Sequence, residues 1–207
     1  MLTDMAADAG HWNTAYAEKG ATVSWHQTQA TTSLNLIAEV AAPEASVVDV
    51  GGGASPLVDG LLDRGHRDIT VLDLSQVALD TARDRLGERG ASVTWRAGDL
   101  LAWQPDRTYD VWHDRAVLHF LVGEPDRARY AELAARAVAP GGHAVIGTFA
   151  PDGPEQCSGL PVRRHSAGDL AGLLAERFVP VRSAREEHRT PSGNVQPFTW
   201  LVARRTG

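Results

Sequence analysis

Apolar positions along this chain alternate between a helical spacing and short, β-branched runs. Leu34, Ile37, Ala38 and Ala41 recur at i, i+3, i+4 and i+7, one stripe of a helix that Pro43 ends. Ser46-Val47-Val48-Asp49-Val50 then reads as a strand that stops at Gly51-Gly52-Gly53, and Ser55-Pro56 offers an N-cap followed by proline at the first helical position. The unit repeats with Ile69-Thr70-Val71-Leu72 as strand, Asp73-Leu74-Ser75 as turn, and Ala78, Leu79, Ala82 and Leu86 as helix stripe. Residues 92–95 and 109–113 predict a third and a fourth strand, and Tyr130, Leu133, Ala134 and Ala137 mark the next helix, which Pro140-Gly141-Gly142 should stop. Residues 143–149 predict a fifth strand, and Ser166 with Asp169 three residues on predicts a capping box.

After this the pattern changes. Two strand-like runs, 178–188 and 198–203, flank the turn sequence Pro191-Ser192-Gly193-Asn194 with no helical pattern between them, which predicts an antiparallel hairpin. Strands alternating with helices imply a parallel sheet, here closed by an antiparallel strand, in an α/β fold. Ligands in such sheets bind outside the carboxyl ends of the strands where the strand order reverses, so the site is expected after the first, second and fourth strands. A length of 207 residues suits one domain over 1–207, with a segment 1–30 ahead of a core 31–207.

Composition narrows the partners. Apolar residues are 43% and charged residues 22%, enough apolar side chains for a buried core. The net charge is −6, Lys19 is the only lysine and the arginines are scattered mostly one at a time among acids, so a nucleic-acid partner is not expected. A single cysteine, Cys157, forms no internal disulfide, and no stretch nears the ~20 apolar residues of a membrane helix, so no membrane partner is expected and the expected compartment is the cytoplasm.

The glycines at 51, 52 and 53 permit positive φ and let a backbone approach a ligand closely. Asp73, twenty-two residues beyond Gly51 at the tip of the second strand, is placed to accept hydrogen bonds from both hydroxyls of a ribose; the plainer reading is a helix N-terminal acid. A dinucleotide site would want a third glycine where Pro56 stands. Proline there removes a backbone donor from the helix start, which disfavours pyrophosphate but not a phosphate-free nucleoside such as S-adenosylmethionine.

The ordered motifs Val47-Val48-Asp49-Val50-Gly51-Gly52-Gly53, Val71-Leu72-Asp73-Leu74-Ser75, Ala97-Gly98-Asp99-Leu100, 109–115 and Ala139-Pro140-Gly141-Gly142 resemble the class I S-adenosylmethionine-dependent methyltransferases. The resemblance covers most of the chain and implies a three-layer, Rossmann-like, seven-stranded sheet. It implies that Asp49, Gly51, Gly52 and Gly53 lie under the methionine part, that Asp73 takes the ribose, that Leu74 flanks the adenine, and that Asp99 with Leu100 addresses the adenine edge. The family often has a further glycine where Ser55 stands here. The aromatic N-terminal segment, with Trp12, Tyr16 and Trp25, is similar to the lid of the small thiopurine, halide and thiol methyltransferases and of the translation-factor lysine type. A sulfonium is attracted to aromatic faces by ~0.5–2 kcal/mol. The alternative is a loop anchored on the core by Trp12 and Trp25.

His113, Asp114 and Arg115 after the fourth strand, and His119 a helical turn on, are the candidate catalytic residues, although His119 in Val117-Leu118-His119-Phe120-Leu121 also suits a core histidine. The Gly- and Pro-rich loop 150–165 is the expected acceptor wall, with Arg163 or Arg164 holding an anionic acceptor or, as plainly, forming a solvated basic pair. No metal site is expected, because the eight histidines lack ligand spacing. The expected reaction is methyl transfer to a small-molecule acceptor; a partner protein's lysine, a scaffold without turnover and a nicotinamide reductase are the alternatives.

Overall fold

Val47–Val50 (β1) is buried along its whole length, as a strand covered on both faces must be. Its neighbours follow from that burial. The computed structural model describes residues 9–19 and 27–207. Around β1 stand Ile69–Asp73 (β2), Val93–Ala97 (β3), Tyr109–Arg115 (β4) and Val138–Phe149 (β5), all parallel, and Val195–Arg205 (β9) pairs antiparallel with β5 and with Phe178–Arg189 (β8). The seven-stranded order is β3-β2-β1-β4-β5-β9-β8, so the chain runs outward from β1 and returns beside it as β4. That reversal opens a crevice at the carboxyl ends of β1 and β4.

Alternate strand residues feed two separate cores. Val47, Val111, Val145 and Val202 pack with the helices Thr31–Ala38 (α2), Leu57–Asp63 (α3) and Gln76–Leu86 (α4), whereas Val48, Trp112, Ile146 and Leu201 pack with Glu124–Ala137 (α5) and Ala167–Leu174 (α6). The result is the three-layer, mostly parallel sheet that the motifs implied.

Several boundaries differ from those the pattern predicts. The helix α5 ends at Ala137 instead of running to Pro140, and β5 starts five residues before His143. The residue preceding a proline avoids helical backbone, and Gly141 then takes φ +83°. The helix α3 begins at Leu57, one residue later than expected, with the Ser55 hydroxyl accepting the Leu57 N–H at 3.1 Å. The strand β4 runs on through Arg115, so His113 and Asp114 lie on the strand rather than after it. Residues 9–19 form a helix, Ala9–Lys19 (α1), and the loop 150–165 holds a small hairpin, Gln156–Cys157 (β6) with Leu160–Pro161 (β7). The Ser166–Asp169 capping box is formed as its spacing predicts. Among the described residues no helix is long and apolar enough to cross a membrane.

Candidate active site

The turn after β1 is packed so tightly that side chains are excluded from it. Gly51 and Gly53 sit at φ +66° and +46°, backbone that side chains rarely adopt. A Cβ on Gly51 would stand 2.0 Å from Cγ2 of Val117, and one on Gly52 would stand 2.4 Å from Oδ2 of Asp49. A Cβ on Gly53 would meet the Tyr16 hydroxyl at 2.7 Å. This backbone is therefore pressed between Val117 after β4, the Asp49 carboxylate and α1.

Asp73 ends β2 beside that turn. Its carboxylate accepts the Ser75 N–H at 2.7 Å and a backbone N–H from Gly53. Burial pushes its pKa up to about 7, and the Asp49 charge pushes the same way against those two donors. A group offering two hydroxyls would give this carboxylate the hydrogen bonds that water no longer supplies. Asp99 caps the short turn Leu100–Ala102, accepting the Leu101 N–H at 2.8 Å, and Leu74, Leu100 and Leu101 line the same cavity.

A cavity of about 520 Å³ starts from these residues, within the ~300–1,000 Å³ of small-molecule sites. Tyr16, Asp73, Leu74, Asp99 and Leu100 line one part of it, and Gly51 stands where this part meets Val117. The segment after β4 and the β6–β7 hairpin line the other, with Arg115, Val117, Phe120, Leu121, Cys157 and Leu160. Helix α1 spans the two ends: the Trp12 and Phe120 rings meet edge to face at 5.1 Å, and Asn13 Oδ1 accepts the Ser75 hydroxyl at 2.7 Å.

The candidate catalytic residues separate. Of the four, only Arg115 lines the cavity. His113 is 2% exposed, with Nδ1 at 2.7 Å from Asp49 Oδ1 and Nε2 at 2.9 Å from the Ser33 hydroxyl. Asp114 is fully buried away from the cavity; it accepts the Val117 and Leu118 N–H groups and the Tyr130 hydroxyl at 2.8, 3.0 and 2.7 Å. Burial raises its pKa to about 6 against those bonds, and their geometry makes it the cap of the turn Leu118–Phe120. His119 is sealed between the Phe120 and Phe149 rings, and burial, then the Arg115 charge, drives its pKa down to about 3, so it stays neutral.

Arg115 lies with its guanidinium carbon 4.4 Å above the Phe198 ring, and its Nη2 is 3.8 Å from Glu186 Oε1 in a buried ion pair. The lid aromatics Trp12 and Tyr16 line the cavity, whereas the expected acceptor residues Arg163 and Arg164 do not. Arg164 pairs with Glu155 at 3.0 Å, and Arg163 lines a separate groove along α5 and α6. The loop they belong to reaches the cavity through Cys157, Leu160 and Pro161 instead. Asp49, Gly52 and Gly53 support the turn from behind the lining, and Trp25 lies outside the described residues. Phe120, Leu121 and Leu160 escaped sequence reasoning because apolar residues at such positions look like core. Ala116, at φ +76°, carries no side-chain signal at all, yet its left-handed backbone turns the chain from β4 toward the cavity.

The chain thus has a seven-stranded, Rossmann-like sheet with a glycine turn and an acid at the tips of its first two strands, both beside one cavity. Residues 47–142 match the family described as a methyltransferase domain. That stretch is somewhat under half of the chain, and it is similar to a methyltransferase domain. The chain is 33% identical over 105 residues, half of its length, to a ubiquinone biosynthesis O-methyltransferase of Alkalilimnicola ehrlichii, and 27% identical over 112 residues to an eEF1A lysine and N-terminal methyltransferase of Mus musculus. These matches span 41% and 16% of those two proteins. The fold superposes with a TM-score of 0.72, at 23% identity and covering all of this chain and 94% of the other, on a 1,6-didemethyltoxoflavin-N1-methyltransferase of Burkholderia thailandensis that holds 1,6-didemethyltoxoflavin and S-adenosylhomocysteine.

Proposed function

We propose that this chain moves the methyl group of S-adenosylmethionine to a small-molecule acceptor. The observation that carries this reading is the single cavity joining the nucleoside end at Asp73 to the end bounded by Arg115, Phe120 and Cys157. One volume holds donor and acceptor together, and its span suits a small molecule better than a folded protein's surface.

Asp73 holds the ribose hydroxyls, Leu74 and Leu100 flank the adenine, and Asp99 offers its edge a polar group. The turn at 51–53 leaves its backbone bare for the amino-acid part. When bound, S-adenosylmethionine supplies a methyl group already activated on a positive sulfur. The chain's own contribution is then mostly orientation, an effect worth up to ~7–11 kcal/mol in ideal cases. Trp12 and Phe120 exclude water from the acceptor end and Arg115 sets its charge. His113 and Asp114 act as positioning residues for β1 and for the turn that carries Phe120.

Calorimetric titration with S-adenosylhomocysteine tests the cofactor half; no heat of binding at millimolar ligand removes the reading. Transfer of labelled methyl to the small-molecule fraction of an extract tests the other half, and label found only in protein would replace the small acceptor with a lysine of a partner.

A further inference from the structure

A second groove, of about 1100 Å³, runs along α5 and α6 and shares no lining residue with the cavity. Arg127 from α5, with Arg163 and His165 from the loop ahead of α6, belongs to its lining. His165 is 2% exposed, and neither of its ring nitrogens has a hydrogen-bond partner among the described residues. A buried polar group left in that state is costly, and an oxygen brought into the groove is the partner it lacks.

The three groups also oppose one another. Burial, then the Arg163 and Arg127 charges, push the His165 pKa down to about 4 against the Asp169 charge, so the imidazole is neutral near pH 7. Burial first and the Arg163 charge second hold the Arg127 guanidinium below its ordinary value, while Glu124 and Asp126 offset part of that. Asp169, the acid facing His165, has its Oδ2 engaged by the Ser166 N–H and hydroxyl. Elsewhere in the lining Arg136, Arg177 and Arg205 outnumber Glu132 and Glu176, so the groove as a whole favours negative charge.

We infer that this groove binds a phosphate group, carried by the free ion or by a small phosphate monoester, and that Arg127, Arg163 and His165 hold it. Guanidiniums present paired N–H donors that match the oxygens of a phosphate, and the neutral imidazole adds one more N–H. Arg127 donates through Nη1 to the Leu121 and Val122 carbonyls, which fixes its head beside the groove and leaves Nε and Nη2 for the ligand. The exposed Arg163 closes over the anion from the other side. Ala131, Ala135 and Leu173 give the same groove an apolar stretch for the organic part of an ester.

The site reaches the methyl-transfer cavity through backbone. Leu121 and Val122, whose carbonyls Arg127 holds, line that cavity, and the Arg163 N–H donates to the His119 carbonyl at 2.7 Å. A phosphate between Arg127 and Arg163 therefore ties the turn after β4 to the loop ahead of α6.

Inorganic phosphate and phenyl phosphate, each added at constant ionic strength, are the probes, and the His165 ring signals in nuclear magnetic resonance are the readout. Those signals should move saturably, and the His165 ionisation midpoint should rise by at least ~1 pH unit in the bound state. Tighter binding of phenyl phosphate supports an ester as the ligand, and equal binding supports the free ion. Arg127→Gln and Arg163→Gln should each weaken binding about fivefold or more, whereas Arg136→Gln, in the same groove, should change it less than twofold. No saturable movement with either probe at tens of millimolar, an unmoved midpoint, or an equal loss in Arg136→Gln would each overturn the inference. Melting curves report whether the variants fold; if Arg127→Gln does not, Arg163→Gln, at an exposed side chain, decides against Arg136→Gln. The readout needs neither cofactor nor acceptor, so a failure of methyl transfer leaves it standing.

Discussion

His113 and Asp49 stand opposite each other in the β1–β4 register, and their side chains meet at 2.7 Å. Since the other ring nitrogen reaches Ser33 on α2, one imidazole ties two central strands to the helix that covers them. Removing it leaves the Asp49 carboxylate buried beneath Gly52 with its side-chain partner gone. His113→Ala should therefore cost about 3–5 kcal/mol of stability, read as a fall in urea midpoint. A chemical role for the imidazole would instead show as lost turnover at unchanged stability.

Glycine matters at position 51 for a different reason than at position 172. At Gly51 an alanine would need left-handed backbone, about 1–2 kcal/mol, and would drive Val117 out of place. Gly172 lies in α6 with nothing within 4 Å of an added Cβ, so alanine there should stabilise by about 0.5–1 kcal/mol. Thermal melts of the two variants should move in opposite directions, and only Gly51→Ala should weaken S-adenosylhomocysteine binding.

Asp73 supplies a pH dependence. Burial holds its carboxyl up at about 7 in the folded chain against 3.8 for an unperturbed aspartate, so the ligand-free protein should lose stability as pH rises from about 4 to about 7. Asp114, raised to about 6, adds to that slope over the lower part of the range. Ligand affinity should run the other way, because ribose hydroxyls donate to the ionised form. Calorimetry should show S-adenosylhomocysteine affinity falling up to about tenfold per pH unit below 7 and level above it. Asp73→Asn should bind about one to two decades more weakly and show no such slope.

How far these features were legible depends on how locally each is encoded. The glycine turn and Asp73 are contained in two short segments whose residue types impose their own backbone, so reading them needed no partner. The five parallel strands and the final hairpin were legible for the same reason. The His113–Asp49 bond joins residues 64 apart through strand register, and nothing near His113 in sequence announces Asp49. Arg163 and Arg164 look like ligand-binding cations from their loop, but Glu155 and the β6–β7 hairpin turn the loop so that Cys157 and Leu160 reach the cavity. Arg115 looked like one charge among several at the end of β4, and only its packing against Phe198 reveals a buried cation.

Asn13 gives the last test, of how α1 is held over the cavity. Its amide oxygen accepts the Ser75 hydroxyl; Ser75 in turn caps α4 by accepting the Ala78 N–H, and its own N–H goes to Asp73. The helix is thus fastened to the residue that orients the proposed ribose carboxylate, and loosening one should loosen the other. A neutral hydrogen bond is worth about 1 kcal/mol, so Asn13→Ala should release S-adenosylhomocysteine about fivefold faster, followed through tryptophan fluorescence, while the melting temperature moves little. Ser75→Ala deletes the same bond, so it should release S-adenosylhomocysteine about as fast as Asn13→Ala, and it should also cost its cap, about 1 kcal/mol of stability. If the bond carries the coupling, the double variant should release no faster than Ser75→Ala alone. Additive effects would mean that the Trp12 contact with Phe120, and not Asn13, keeps α1 in place.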